Sequence, residues 1–406
     1  MKIRNREHYT PWVPGSVRRE TLAAQADGWR CPTTGAVPPP IALGVTFGRD
    51  GGYETPGGRA YLRDQGTPAY EQAELVVAGL EGGSDATLFS SGMAAATAVF
   101  QCLPDRARVV VSETLYFGLT KWLLEFAPQR GLDVVRVDTT DLEAVRGALA
   151  AAPTTLLWIE TPANPTWLVT DIAGCAALAR EAGALLAVDN TVATPVHTRP
   201  LELGADIVMH SATKYLNGHS DIMAGFLVVG ERGGEGRGAL LDELWERIDL
   251  HRKLTGPILG TLETYLLVRG MRTLHPRMRQ ISATALEIAE HFDGHPLVSR
   301  VAYPGLASDP GHTVAARQMT GGFSGMLSLY VDGPWERSLQ TAKNCGLFIR
   351  ATSLGGTESL IEHRFTFEGA GSRSPREMVR LSIGLEHPAD LIADLEQALE
   401  RAAKEI

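Results

Sequence analysis

Lys214 stands where a short apolar run, DIVMHS (206–211), gives way to a turn containing Thr213, Gly218 and His219. A lysine beside two hydroxyls and just past a buried strand suits an amine that forms an imine with a carbonyl and is later freed to move protons. Position alone leaves a surface lysine equally open. Asp189 ends another apolar run, LLAVDN (185–190), 25 residues earlier. A carboxylate there can keep a ring nitrogen protonated, because a nearby negative charge favours the cationic form; the plainer reading is an Asp that starts a turn. Ser91, Gly92 and Met93, in the phrase SSGM, lie between a strand and a helix start. Free N–H groups at such a start suit an anion, and Ser211 and Thr213 offer hydroxyl donors, although an ordinary helix cap reads the same way. Arg380 precedes LSIGLE and can clamp a carboxylate with two parallel hydrogen bonds, or form a structural ion pair. Tyr116 can stack on a ring, or simply pack.

These residues need elements to converge them. The short apolar runs RVVVSE (108–113), TTLLWIE (154–160), LLAVDN, DIVMHS and GFLVVG (225–230) suit strands buried on both faces. DATLFSSG (85–92) reads as a strand running into a loop. Helical spacing appears over 69–82, 93–103 and 172–183. The alternation predicts an α/β fold with a mostly parallel sheet and helices on both faces. Ligands of such sheets bind beyond the carboxyl ends of the strands, where Ser90, Ser91, Glu160, Asp189 and Ser211 fall. Residues 240–292 read as helical. MLSLYVD (326–332), VRLSIGL (379–385) and a helix over 396–405 predict a smaller α+β unit. Residues 1–60, rich in Gly and Pro, read as an extended arm.

The chain has 406 residues, 44% hydrophobic and 21% charged, with net charge −9 and no basic run. Nucleic acid and acidic membrane surfaces are therefore not expected partners. The charged start, MKIRNREHYT, is not a secretory signal, and no apolar run reaches the roughly 18 residues of a membrane span. Four scattered cysteines, with no CxxC, fit a reducing cytoplasm. The 11 histidines form no HExxH phrase, so no metal is expected.

Tyr61-x-Arg63, SSGM, Tyr116, ETPANP (160–165), DNT (189–191), SATKYLNGHSD (211–221), SLGGTES (353–359) and RLSIGLE (380–386) occur in this order. Together they resemble the cysteine/methionine-metabolism family of pyridoxal-phosphate (PLP) enzymes, in its cystathionine γ-synthase, γ-lyase and β-lyase branch, over roughly residues 20–400. The resemblance implies PLP as cofactor and a type I aminotransferase-like fold. It divides the chain into an N-terminal arm (1–62) reaching a neighbouring subunit, a PLP-binding large domain (63–262) and a C-terminal small domain (263–406). It implies a homotetramer built as a dimer of dimers, with Tyr61 and Arg63 holding the phosphate of a neighbouring site. It makes Lys214 the imine lysine, Asp189 the partner of the ring nitrogen, Tyr116 a stacking and proton-carrying residue and Arg380 the carboxylate clamp. Ser353 would orient Lys214 or substrate, and Asn164 would join the substrate contacts.

The sequence departs from the family pattern in three places. The usual Asn-Pro-Thr after Tyr-x-Arg is replaced by Asp64-Gln65-Gly66-Thr67-Pro68. Thr352 precedes SLGG, where γ-acting members often carry Glu and β-acting ones Tyr. Lys121 stands where γ-acting members carry Arg; it either meets a distal carboxylate or is solvated. The implied activity is γ-elimination or γ-replacement on a homoserine- or homocysteine-derived small amino acid. Cystathionine β-lyase activity and γ-elimination of a non-sulfur amino acid such as canavanine stay open. A doubly wound protein that only binds a phosphate ligand is the reading of a different class, and the Lys214–Asp189 pairing speaks against it.

Overall fold

The computed structural model describes residues 17–31, 33–369 and 372–406. The first 16 residues of the expected arm lie outside them. Seven strands form the large sheet: β1 (Asp85–Phe89), β2 (Arg108–Ser112), β3 (Asp133–Val137), β4 (Leu156–Glu160), β5 (Leu185–Asp189), β6 (Ile207–His210) and β7 (Gly225–Val229). Their order is β1-β7-β6-β5-β4-β2-β3. The five strands from β6 to β3 are parallel, and β7 runs antiparallel between β1 and β6. Alternate residues of β4 point to opposite faces, as the two-residue strand period requires. Leu156 and Trp158 join one apolar cluster, with the helices Gly92–Cys102 and Arg237–Thr255. Leu157 and Ile159 join another, with Leu142–Ala150 and Ile172–Glu181. Both faces are covered, which is why these strands read as unbroken apolar runs.

A second sheet holds β8 (Val298–Ala302), β9 (Met326–Val331), β10 (Ile349–Arg350), β11 (Leu360–Glu362) and β12 (Met378–Ser382), in the order β10-β11-β12-β9-β8. The helices Leu274–Phe292, Trp335–Asn344 and Pro388–Glu405 pack with it. One continuous cluster joins Val208, Tyr215 and Phe226 of the first unit to Ile281, Leu327 and Val379 of the second. Trp167 Nε1 donates to Ser328 Oγ at 2.8 Å across the same junction.

Residues 19–25, expected to be extended, form a helix, Arg19–Gln25. Ala23 and Ala26 pack in one core cluster with Ala73 and Val76 of the helix Pro68–Glu81. Burial on that helix outweighs a sequence too short to nucleate helix alone. Beyond it the chain is exposed at Ile41, Leu43, Val45 and Tyr53. Gly66, which departs from the family pattern, ends the short helix Leu62–Gln65 at φ +69°. A Cβ there would lie 2.7 Å from Tyr70 Cβ, so glycine is required on two counts.

Candidate active site

β1, β4, β5 and β6 all end on one rim, and β7 begins there. The rim delivers Ser91, Glu160, Asp189 and Ser211 to a cavity of about 310 Å³. The turn after β6 adds Thr213 and Lys214, and the second unit adds Thr352, Ser353 and Arg380. Gly92, Met93, Tyr116 and Asn164 complete the expected residues brought together there.

Lys214 Nζ donates to Ser353 Oγ at 2.6 Å. Burial pushes this amine down to about 8, with the Arg380 charge as the next cause. Ser353 holds φ +86°, a strained backbone for a non-glycine residue. That conformation serves two partners at once. Its hydroxyl meets Lys214, and its carbonyl accepts from Arg380 Nη2 at 2.9 Å.

Arg380 is buried and multiply held. Its Nη1 donates to Asn164 Oδ1 at 3.2 Å and its Nη2 to Glu362 Oε2 at 2.7 Å. The same Glu362 oxygen accepts from Arg364 at 2.8 Å, and Arg364 also reaches Glu368 at 2.6 Å. Burial lowers the Arg380 guanidinium to about 10, far enough from neutrality to stay charged.

Asp189 and Glu160 are register partners on β5 and β4. Burial pushes both carboxyls up, and Asp189 adds to the rise at Glu160. Glu160 is occupied by backbone: it accepts from Tyr116 N at 2.6 Å and from Asn164 N at 2.9 Å. It therefore fixes two cavity residues. Asp189 accepts from Thr191 N at 3.0 Å and has no Lys or Arg partner among the described residues. A buried carboxylate that faces a cavity without a paired cation suits a protonated ring nitrogen.

The helix Gly92–Cys102 starts at the cavity wall. Ser91 Oγ accepts from Ala94 N at 3.0 Å, while the N–H groups of Gly92 and Met93 have no protein acceptor among the described residues. A Cβ on Gly92 would fall 2.6 Å from Ser211 Cβ. Only a backbone without a side chain brings the helix start this close to the Ser211 turn. Ser211 N donates to Thr191 Oγ1 at 2.8 Å, and Thr213 Oγ1 exchanges hydrogen bonds with the Ala224 backbone. A helix start with free N–H groups and a buried carboxylate without a Lys or Arg partner thus both line Lys214's cavity.

Three expected residues lie elsewhere. Lys121 is exposed, 3.9 Å from Glu125, and lines a neighbouring cavity of about 580 Å³. Tyr61 is exposed on its own chain, with the Arg63 guanidinium 5.6 Å from its ring centre. Arg63 donates to Lys253 O at 2.9 Å, outside this chain's cavity. Sequence reasoning missed Glu362, Arg364 and Glu368, and gave Glu160 no role beyond its place at a strand end. The pair Arg364 and Glu368 at helical spacing was the one available signal, and it is also what an ordinary solvated helix shows.

A sequence profile of the Cys/Met metabolism PLP-dependent enzymes matches residues 20–400. The chain is 40% identical to the cystathionine gamma-synthase of Mycobacterium tuberculosis, covering 91% of this chain and 93% of that one. It is 39% identical to the cystathionine beta-lyase of Coxiella burnetii, covering 91% and 94%. The crystal structure of cystathionine gamma synthase from Xanthomonas oryzae in complex with cystathionine superposes with a TM-score of 0.89 at 35% identity, covering 96% of this chain and all of that one. With a matching profile over almost its whole length and a cavity shaped for the cofactor, this chain belongs to the Cys/Met metabolism PLP-dependent enzymes.

Proposed function

We propose that the chain catalyses γ-elimination or γ-replacement on a homoserine- or homocysteine-derived amino acid, with cystathionine as the concrete substrate. The observation that carries this reading is the Lys214–Ser353–Arg380 chain of contacts, which sets a proton-carrying amine beside a carboxylate clamp. Bound in the cavity, PLP supplies an electron sink for charge developing on substrate carbon. Its phosphate would rest on Gly92 and Met93 with Ser91, Ser211 and Thr213, and its ring nitrogen on Asp189. Arg380, held by Asn164 and Glu362, takes the substrate carboxylate. Lys214 removes the α-proton and then carries the β-proton, aided by a free-amine fraction raised by burial. Tyr116, half-exposed at the mouth, packs on the cofactor ring and protonates the departing group.

Tyr61 is exposed, Arg63 is half-buried, and neither lines the cavity of its own chain, which supports their use by a neighbouring subunit in a homotetramer that is a dimer of dimers. The arm (1–62), cofactor unit (63–262) and small unit (263–406) are the division that goes with this assembly. The cytoplasm is the proposed compartment. Thr352, which lines the cavity, is assigned to the distal end of the substrate, and Lys121, in the neighbouring cavity, to a distal carboxylate reaching beyond it. β-Elimination of the same substrate is the second reading, favoured by near-equal identity to a β-lyase.

Purified enzyme given L-cystathionine decides between them. 2-Oxobutyrate is expected, and pyruvate would transfer the assignment to β-elimination. Neither product, from a PLP-loaded protein, would overturn cystathionine as substrate. Lys214→Ala should abolish turnover, and turnover retained would sink the role given to Lys214.

A further inference from the structure

Outside the lining of the cavity, joined to it through the chain neighbours of Asp189 and Ser211, lies a polar cluster with no part in the reaction as described. Glu81, Asn190 and His210 are each fully buried. Glu81 Oε1 accepts from Asn190 Nδ2 at 2.9 Å and lies 2.6 Å from His210 Nε2. Asn190 also donates to Thr198 O at 2.8 Å. Glu81 Oε2, His210 Nδ1 and Asn190 Oδ1 have no hydrogen-bond partner among the described residues.

The cluster is expensive as a piece of core. Buried ion pairs are often matched or bettered by apolar residues of the same volume, and each unpaired buried polar atom adds a cost. Glu81 is moreover the last residue of the helix Pro68–Glu81, the end where the helix dipole disfavours a carboxylate. Its placement in the chain supplies the missing reason. Asn190 directly follows Asp189, and His210 directly precedes Ser211. One carboxylate therefore grips the two strand ends that carry the ring-nitrogen carboxylate and part of the phosphate cradle.

We propose that Glu81 is a positioning residue for cofactor binding: it ties the ends of β5 and β6 together through Asn190 and His210. The fixed span between β5 and β6 then matches the fixed distance between the ring nitrogen and the phosphate of one cofactor. Asp189, held at that span, stays aimed at the ring nitrogen. The proposal rests on the assignment of Asp189 to the ring nitrogen of PLP.

The test uses PLP labelled with nitrogen-15 in its ring, bound to the full chain and read by NMR, with PLP affinity measured in parallel. Glu81→Gln keeps the shape and removes the charge. It should weaken PLP binding at least about tenfold and move the ring resonance from the protonated towards the neutral position. Glu74→Gln is the control. It alters a buried carboxylate on the same helix that accepts from Leu88 N at 3.0 Å, and it should leave the resonance in place. A folded Glu81→Gln protein with wild-type affinity and resonance overturns the proposal, as does the same displacement in Glu74→Gln. Should Glu81→Gln not fold, His210→Gln carries the same prediction; failure of both to fold with PLP present would assign the cluster to the core and overturn it. Asp189→Asn separates the two levels of the argument. A ring resonance unmoved by Asp189→Asn would sink the Asp189 assignment itself, whereas one that moves only there would sink the role of Glu81 alone.

Discussion

The reactivity of Lys214 can be worked out from its surroundings and measured without any substrate. An ordinary lysine at 10.5 has about 0.03% of its amine free at pH 7, whereas one at about 8 has about 9% free, a gain of roughly 300-fold. Burial is the larger cause and the Arg380 charge the second. The rate at which PLP-free protein captures PLP covalently should therefore rise with pH around a midpoint near 8. Stopped-flow absorbance from about pH 6 to about pH 10 reads this directly, and a simple alkylamine run in parallel removes the cofactor's own titration. Arg380→Met deletes one positive neighbour and should move the midpoint upward, while leaving most of the depression in place because burial persists. Lys214→Ala should show no covalent capture. A wild-type midpoint at or above about 10 would refute the reasoning. A downward shift in Arg380→Met would refute the part assigned to the guanidinium.

Two further perturbations test the walls of the cavity. Glu362→Gln leaves Arg364 and Arg380 buried without their shared carboxylate, at an expected cost of about 3–5 kcal/mol in denaturant unfolding; an unchanged unfolding midpoint would show the ladder to be electrostatically idle. Gly92→Ala brings a Cβ to 2.6 Å from Ser211 Cβ and should weaken PLP binding by at least about tenfold, near 1.4 kcal/mol, measured by cofactor titration of the PLP-free protein. Binding at wild-type strength would remove the Gly92–Ser211 approach from the phosphate cradle.

The large sheet was legible because strands buried on both faces write themselves as apolar runs, and LLWIE or LLAVD has no other economical reading. β3 was not. Its sequence, DVVRV, lies at the sheet edge and is only partly buried, so its apolar signal is short and interrupted by Arg136. The antiparallel course of β7 was equally hidden, since GFLVVG reads the same in either direction. Lys214, Asp189 and Ser91 could be singled out because each ends or follows a strand, where a parallel sheet opens its ligand rim. The Glu362–Arg364–Glu368 ladder could not, because its meaning lies in what it touches: Glu362 binds Arg380, 18 residues away in sequence, only after β11 pairs with β12. Glu160 illustrates the same limit. Its position at the rim was readable, while its grip on the backbones of Tyr116 and Asn164 needed the folded chain.

The cavity is assembled from two suppliers with separate duties. The groups proposed to hold the cofactor within this chain come from one stretch, Ser91 to Lys214. The proposed carboxylate clamp comes from the second sheet and its loops, Ser353 and Arg380, and meets the first stretch through Asn164 and the Lys214 amine. Changes in the second stretch can therefore rewrite which amino acid is accepted while cofactor retention is left intact. Ser353 is the exception within that stretch, because its hydroxyl is the partner of the Lys214 amine. A family that shares one cofactor and diverges in reaction is what such an unequal partnership would favour.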